Sequence, residues 1–131
     1  MSSSLVADAS FVVNAWLPGD DQGRRAHDFL ESHHVFVPEL LFVEVSKQFR
    51  RFENIGWPDA EREFSRFLSA PWFVIPFAVY GRLAWTFRHD VSLTDACYVA
   101  LARGLRVPLV THDLKLAKTA ARYCDVMTPN F

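Results

Sequence analysis

Short apolar runs alternate along this chain with longer stretches of helical spacing. Residues 5–7 are apolar and stop at Asp8, too short for a helix and suited to a buried strand. Ser10 can then cap a helix to about Trp16, which Pro18, Gly19 and Asp20 stop. Residues 21–32 are polar with Ala26, Phe29 and Leu30 on one face, predicting a surface helix. Residues 35–37 read as a second strand, and Pro38 takes the favoured first-turn place of a helix to about Phe52. Pro58 begins another helix, striped by Phe64, Phe67 and Leu68. Residues 72–75 form a third predicted strand, followed by a helix from about Val79 to His89. Ser92 and Asp95 resemble a capping box that opens a helix to about Arg103, with Gly104 as its stop. A fourth strand at 107–110, a helix at 113–121 and a short fifth strand at 125–127 complete the pattern.

Short apolar strands alternating with helices, and no tight hairpin signal, predict an α/β fold whose parallel sheet is covered on both faces. There is no internal repeat, linker or low-complexity segment, and 131 residues with 50% apolar content predict one domain over 1–131. Fourteen Lys and Arg against fifteen Asp and Glu give a formal net charge of −1. That balance excludes a disordered charged tail and a strongly basic nucleic-acid coat, so RNA contact must use a local surface. Apolar runs such as 40–43 and 72–76 fall far short of a membrane span, and Met1–Ser4 carries no secretion-signal pattern. Cys97 and Cys124 lie far apart with no CxxC, which predicts reduced thiols and a cytoplasmic protein.

Most of the acids sit in polar stretches and read as solvated surface. Four do not. Asp8 ends the first apolar strand, and Glu44 lies on the apolar stripe of Leu41, Val45, Phe49 and Phe52. Asp95 shares a stripe with Val91, Tyr98, Val99 and Ala102, and Asp113 follows the fourth strand at a helix start. Singly, Asp8, Asp95 and Asp113 could be helix caps and Glu44 could pair with Lys47 or Gln48. A doubly wound sheet, however, gathers ligands beyond the carboxyl ends of its strands where strand order reverses. Asp8 and Asp113 share that edge if the first and fourth strands are neighbours. Carboxylates crowded there repel unless a cation lies between them, and an all-oxygen set without zinc-spaced His or Cys predicts Mg²⁺ or Mn²⁺. Such a site suits phosphodiester hydrolysis.

Four segments carry a resemblance to a known family. Val6-Ala7-Asp8-Ala9-Ser10, Pro38-Glu39-Leu40-Leu41-Phe42-Val43-Glu44, Leu93-Thr94-Asp95-Ala96-Cys97-Tyr98-Val99-Ala100-Leu101-Ala102 and Val110-Thr111-His112-Asp113 resemble, in order and separation, the four acidic motifs of PIN domains. The likeness is closest to the small VapC-type toxins of bacterial and archaeal toxin–antitoxin pairs. It implies a three-layer α/β/α sandwich with a short, mostly parallel sheet of about five strands, and a metal-dependent endoribonuclease. Asp8 and Asp95 would be the primary Mg²⁺ or Mn²⁺ ligands, with Glu44 and Asp113 completing the set, partly through water. Thr111 would contact the acids or a phosphate, and Ser10 and Asn14 would lie near the cleft. The resemblance also implies RNA as substrate, a cognate antitoxin and a homodimer, with no membrane role. The chain departs from the pattern at His112, where a small or apolar residue is usual, and at Thr94, where Tyr is frequent.

Two other readings stand beside this one: a non-catalytic PIN-like module that binds RNA or protein, and another Mg²⁺-dependent phosphoesterase. The second is disfavoured because Asp8-Ala9-Ser10 lacks a DxD pair. Among the histidines, His27 and His89 have no expected partner at ligand spacing, and His33 and His34 read as solvated. Trp16, Phe42, Trp57, Trp72 and Trp85 exceed what a core of this size hides and are interface candidates. Lys47, Arg50 and Arg51, and Lys115, Lys118 and Arg122, form two basic clusters near the expected cleft.

Overall fold

The chain is described here by a computed structural model covering residues 3–131. Strands β1 (Ser4–Ala7), β2 (His34–Pro38), β3 (Phe73–Ile75), β4 (Leu109–Val110) and β5 (Val126–Met127) form one sheet in the order β3-β2-β1-β4-β5. Every pairing is parallel. The connections carry α1 (Ala9–Trp16) and α2 (Asp21–Glu31), then α3 (Leu40–Asn54) and α4 (Ala60–Ser69), then α5 (Phe77–Thr86) and α6 (Leu93–Leu105), and last α7 (Leu114–Ala120). Right-handed crossovers put α1–α4 on one face and α5–α7 on the other, because the chain winds outward from β1 to β3 and then returns past β1 to β4. The expected three-layer α/β/α sandwich is thus the architecture found.

The core follows from the apolar runs. Leu5, Val6 and Ala7 of β1 are sealed on both faces, as the central strand of a covered parallel sheet requires. Helix α6 packs across β1, β2 and β4 and buries every residue from Ala96 to Ala102, so it is apolar nearly all round. Helix α5 lies against α6.

Several boundaries differ from the sequence reading, each for a local reason. Pro38 does not open a helix: it ends β2, paired in register with Ile75, and α3 starts two residues later. Having no N–H, a proline can close a strand there but cannot carry the ladder on through a donor of its own. Gly104 does not stop α6. The helix runs to Leu105, and Arg106 takes the left-handed conformation (φ 58°), donating its N–H to the Ala102 and Arg103 carbonyls. Helix α5 begins at Phe77 directly after Pro76, two residues earlier than its stripe suggested. Strand β4 is limited to Leu109 and Val110, although the Val6 N–H reaches the Pro108 carbonyl at 2.9 Å.

The aromatic surplus is also explained differently. Trp16, Phe42, Trp57 and Trp72 pack against the core in a chain of rings around Phe67 and Phe49. Of the five interface candidates only Trp85 is exposed. Both cysteines are free thiols, as expected.

Candidate active site

Strand order reverses between β1 and β4, and the register there decides what meets at the carboxyl edge. Ala7 pairs with Val110, so the next residues along, Asp8 and Thr111, face each other across the switch point. The Asp8 N–H continues the ladder to the Val110 carbonyl at 3.2 Å. Asp8 is 4% exposed and Thr111 fully buried, the two buried polar side chains among the described residues.

Asp8 satisfies its burial with three donors. Its Oδ2 accepts from Thr111 Oγ1 at 2.7 Å, and its Oδ1 accepts from Ser10 Oγ at 2.8 Å and from the Phe11 N–H at 3.1 Å. Asp8 is therefore the cap of α1 as well as a cleft acid; the two readings coexist. With both hydroxyl protons given to Asp8, the 3.2 Å contact between Ser10 Oγ and Thr111 Oγ1 is left without a proton of its own. The hydroxyl oxygens instead accept from the next loop: His112 N–H to Ser10 Oγ at 3.1 Å and Asp113 N–H to Thr111 Oγ1 at 2.9 Å. Asp8, Ser10, Thr111 and Asp113 thus form one network that sutures the β1–α1 and β4–α7 turns.

The other acids arrive from the helices whose N-termini rise to the same edge. Asp113 caps α7, accepting from the Lys115 and Leu116 N–H groups, and stays exposed. Asp95 is not the cap of α6; Ser92 is, accepting from the Asp95 N–H at 3.1 Å, which leaves the Asp95 carboxylate in the first turn. Glu44 sits half-buried in α3 and accepts from the Tyr98 hydroxyl at 2.6 Å. It does not make the ion pair with Lys47 that its sequence neighbours allowed. Tyr98 is the site residue that sequence reasoning missed; its place three residues after Asp95, on the same face of α6, was the available signal.

The four acids lie near enough for their charges to act on one another. Burial pushes the Asp8 carboxyl upward against its three hydrogen bonds, and the Asp113 charge pushes the same way. Burial also raises Glu44 against its Tyr98 bond, with the Asp95 and Asp8 charges adding and Lys47 opposing. Burial raises Asp95, with the Asp113 charge adding and the Ser92 hydroxyl opposing. The Tyr98 phenol is itself driven far up by burial and by its bond to Glu44, so it remains a donor. Lys47 is the cation that opposes the rise of Glu44.

No three of the four acids bring donor atoms within 4.8 Å of one another; among the described residues only His27, Asp28 and Glu31 on α2 do so. His27 therefore does have partners at ligand spacing, Glu31 lying one turn on at 3.3 Å, contrary to the sequence reading. The wide oxygen basin nevertheless fits a hydrated hard cation, since Mg²⁺ keeps several waters and takes only one or two carboxylates directly. Asn14 Nδ2 meets His112 Nδ1 at 2.7 Å at the edge of this basin, the His112 ring lies tilted against Phe11 with centroids 4.5 Å apart, and its Nε2 is buried without a partner among the described residues.

Comparison with known proteins identifies the family to which this fold belongs. Residues 5–122 match the family model described as PIN domain. The chain is 30% identical over 125 residues to ribonuclease VapC9 of Mycobacterium tuberculosis, covering 93% of this chain and 95% of that protein. It is likewise 30% identical over 130 residues to ribonuclease VapC1 of the same organism, covering 92% and 94%. The crystal structure of Mycobacterium tuberculosis VapC20, titled a sarcin–ricin loop cleaving toxin, superposes with a TM-score of 0.68 at 22% identity, covering 95% of this chain and 99% of that one.

Proposed function

The chain belongs to the PIN-domain family, among the VapC-type ribonucleases, and from that membership we propose that it is a metal-dependent endoribonuclease acting as the toxin of a toxin–antitoxin pair. The observation that carries the proposal is the gathering of Asp8, Glu44, Asp95 and Asp113 at the sheet's switch point, where burial first and neighbouring acids second raise the Asp8, Glu44 and Asp95 carboxyls. A polyanionic RNA cannot approach four uncompensated carboxylates, so the basin needs a divalent cation before it can take a phosphodiester.

Asp8 and Asp95 would hold the ion, with Glu44 and Asp113 reaching it in part through water; the oxygen-only set favours Mg²⁺ or Mn²⁺. When bound, the ion would supply an activated water and neutralise charge developing on the phosphate. The protein's own residues supply orientation. Thr111, Ser10 and the Phe11 N–H fix the Asp8 carboxylate in one rotamer, and Tyr98 fixes Glu44. Ligands held this way pay less reorganisation when the ion and substrate arrive. Lys47 on α3, whose charge acts on Glu44, and Lys115 and Lys118 on α7, the helix Asp113 caps, suit phosphate contacts along the RNA.

A cognate antitoxin would inhibit by placing a basic side chain among the four acids. A homodimer is supported by the edge strand β3 and the adjoining α5, where Phe73, Val74, Phe77 and Val79 are exposed together. Among the described residues no helix is long and apolar enough to cross a membrane; the cytoplasm is the compartment in which both RNA and free thiols would be met. Expression of the chain alone in a bacterium tests the reading. Growth should arrest, and Asp95→Ala should relieve the arrest at matched protein level; arrest unchanged by Asp95→Ala would detach toxicity from the acidic basin.

A further inference from the structure

A cavity of about 630 Å³ adjoins the acidic basin, with Thr111 and His112 forming their common wall. Helix α3 joins the two spaces: Glu44, Gln48 and Phe52 recur at four-residue spacing on one half-buried face, and Phe52 lines the cavity. Eight residues of helix span about 12 Å, so the cavity lies within reach of a nucleotide neighbouring one held at the acids. Its volume lies in the range of small-ligand sites, and Leu17 and Phe131 give it apolar walls.

Among the lining groups that keep an unspent hydrogen-bonding atom, the buried His112 Nε2 included, Asp20 is the carboxylate. Asp20 caps α2 through Oδ1, which accepts from the Gln22 N–H at 3.0 Å and the Gly23 N–H at 3.3 Å. Its Oδ2 has no hydrogen bond among the described residues, although Asp20 lines the cavity. A carboxylate oxygen only accepts. It therefore suits the exocyclic amino group of adenine, cytosine or guanine, and opposes the carbonyl oxygens that flank the single N–H of uracil.

We propose that this cavity receives a nucleobase of the RNA strand adjacent to the cleaved bond, and that Asp20 selects bases bearing an exocyclic amino group over uracil. The proposal rests on the endoribonuclease reading above and deepens it. Apolar walls take the faces of the base and the carboxylate reads its edge, the division of labour used for unstacked bases in RNA recognition.

Asp20→Asn tests it cleanly. Asn is as good a helix cap as Asp, so Oδ1 keeps its role while the spare acceptor becomes a donor. Cleavage of a random-sequence RNA pool, with the ends sequenced, should show wild-type protein disfavouring uridine at one fixed position from the cut. Asp20→Asn should shift that position toward uridine roughly tenfold and leave the other positions as they were. Unchanged preference by a variant that still cleaves overturns the base-reading role and leaves the nuclease assignment standing. Absence of cleavage by the wild type overturns the nuclease assignment instead. In that event, equilibrium titration of the metal-free protein with AMP, CMP, GMP and UMP decides the cavity: weaker UMP binding, reversed in Asp20→Asn, supports it, and equal or undetectable binding of all four refutes it.

Discussion

Thr111 Oγ1 donates to Asp8 Oδ2 at 2.7 Å, joining two side chains that lie 103 residues apart in sequence and directly follow the last registered pair of β1 and β4, Ala7 and Val110. The bond fixes the carboxylate that the parallel sheet buries deepest, and Thr111 then accepts the Asp113 N–H with the same oxygen. One hydroxyl therefore sets the positions of two of the four acids.

Removing that hydroxyl tests the relationship. Thr111→Val keeps the buried shape but takes one of three donors from a buried carboxylate and strands the Asp113 N–H. The loss should be about 2 kcal/mol of stability, the cost of a hydrogen bond to a charged group, read by denaturant unfolding. Thr111→Ser should recover most of it. Cleavage by Thr111→Val should fall on the order of tenfold, because Asp8 is left less anchored.

How much of this was legible beforehand differs between fold and site. Short continuous apolar runs located the strands and period-3.6 stripes the helices, because the sheet is covered on both faces. The ends were less legible. Pro38 satisfies a helix start and a strand end equally, and only its pairing with Ile75 decides. Arg106 adopts a left-handed conformation that nothing in its side chain favours. Asp8, Glu44, Asp95 and Asp113 stood out as charges at apolar positions, but Tyr98 did not, since a tyrosine on an apolar stripe is ordinary core. Its bond to Glu44 spans 54 residues and exists only once α3 and α6, from opposite faces of the sheet, bring these two side chains to the same edge.

Tyr98→Phe isolates that bond. The ring stays packed, and Glu44, half-exposed, regains solvent in place of the phenol, so stability should fall by only about 1 kcal/mol. The larger effect is on order: Glu44 loses the partner that fixes it and its carboxyl rises further. The Mg²⁺ or Mn²⁺ concentration needed for half-maximal cleavage should increase several-fold, roughly the 10-fold that loss of a supporting contact to a metal ligand brings.

The metal-free protein should show an unusual pH dependence. Asp8, Glu44 and Asp95 are all raised above the ordinary values of 3.8, 4.5 and 3.8, with burial the leading cause in each. For a carboxyl raised in the folded state, the folded protein binds the proton more tightly than the unfolded chain does. That favourable contribution is complete below the ordinary carboxylate range and is lost as pH rises through the raised folded values. In EDTA the melting temperature should therefore rise as pH is lowered from neutrality through the raised carboxyl values. Asp95→Asn should raise the melting temperature at pH 7.5 and flatten the slope, by removing one of the mutually repelling charges. A slope unchanged by Asp95→Asn would mean the acids do not act as a group.

The most direct test of the central claim is the cleavage of RNA by purified protein as Mn²⁺ or Mg²⁺ is titrated, with Asp8→Asn measured beside the wild type. Asn preserves the cap of α1 and most of the shape while removing the charge at the centre of the network. Wild-type cleavage should rise saturably with the ion and vanish in EDTA, and Asp8→Asn should lose at least about a hundredfold at every concentration, as expected when a ligand of a catalytic metal is removed. Cleavage that persists in EDTA, or that Asp8→Asn performs as fast as the wild type, would contradict a metal-dependent nuclease site at the β1–β4 switch point.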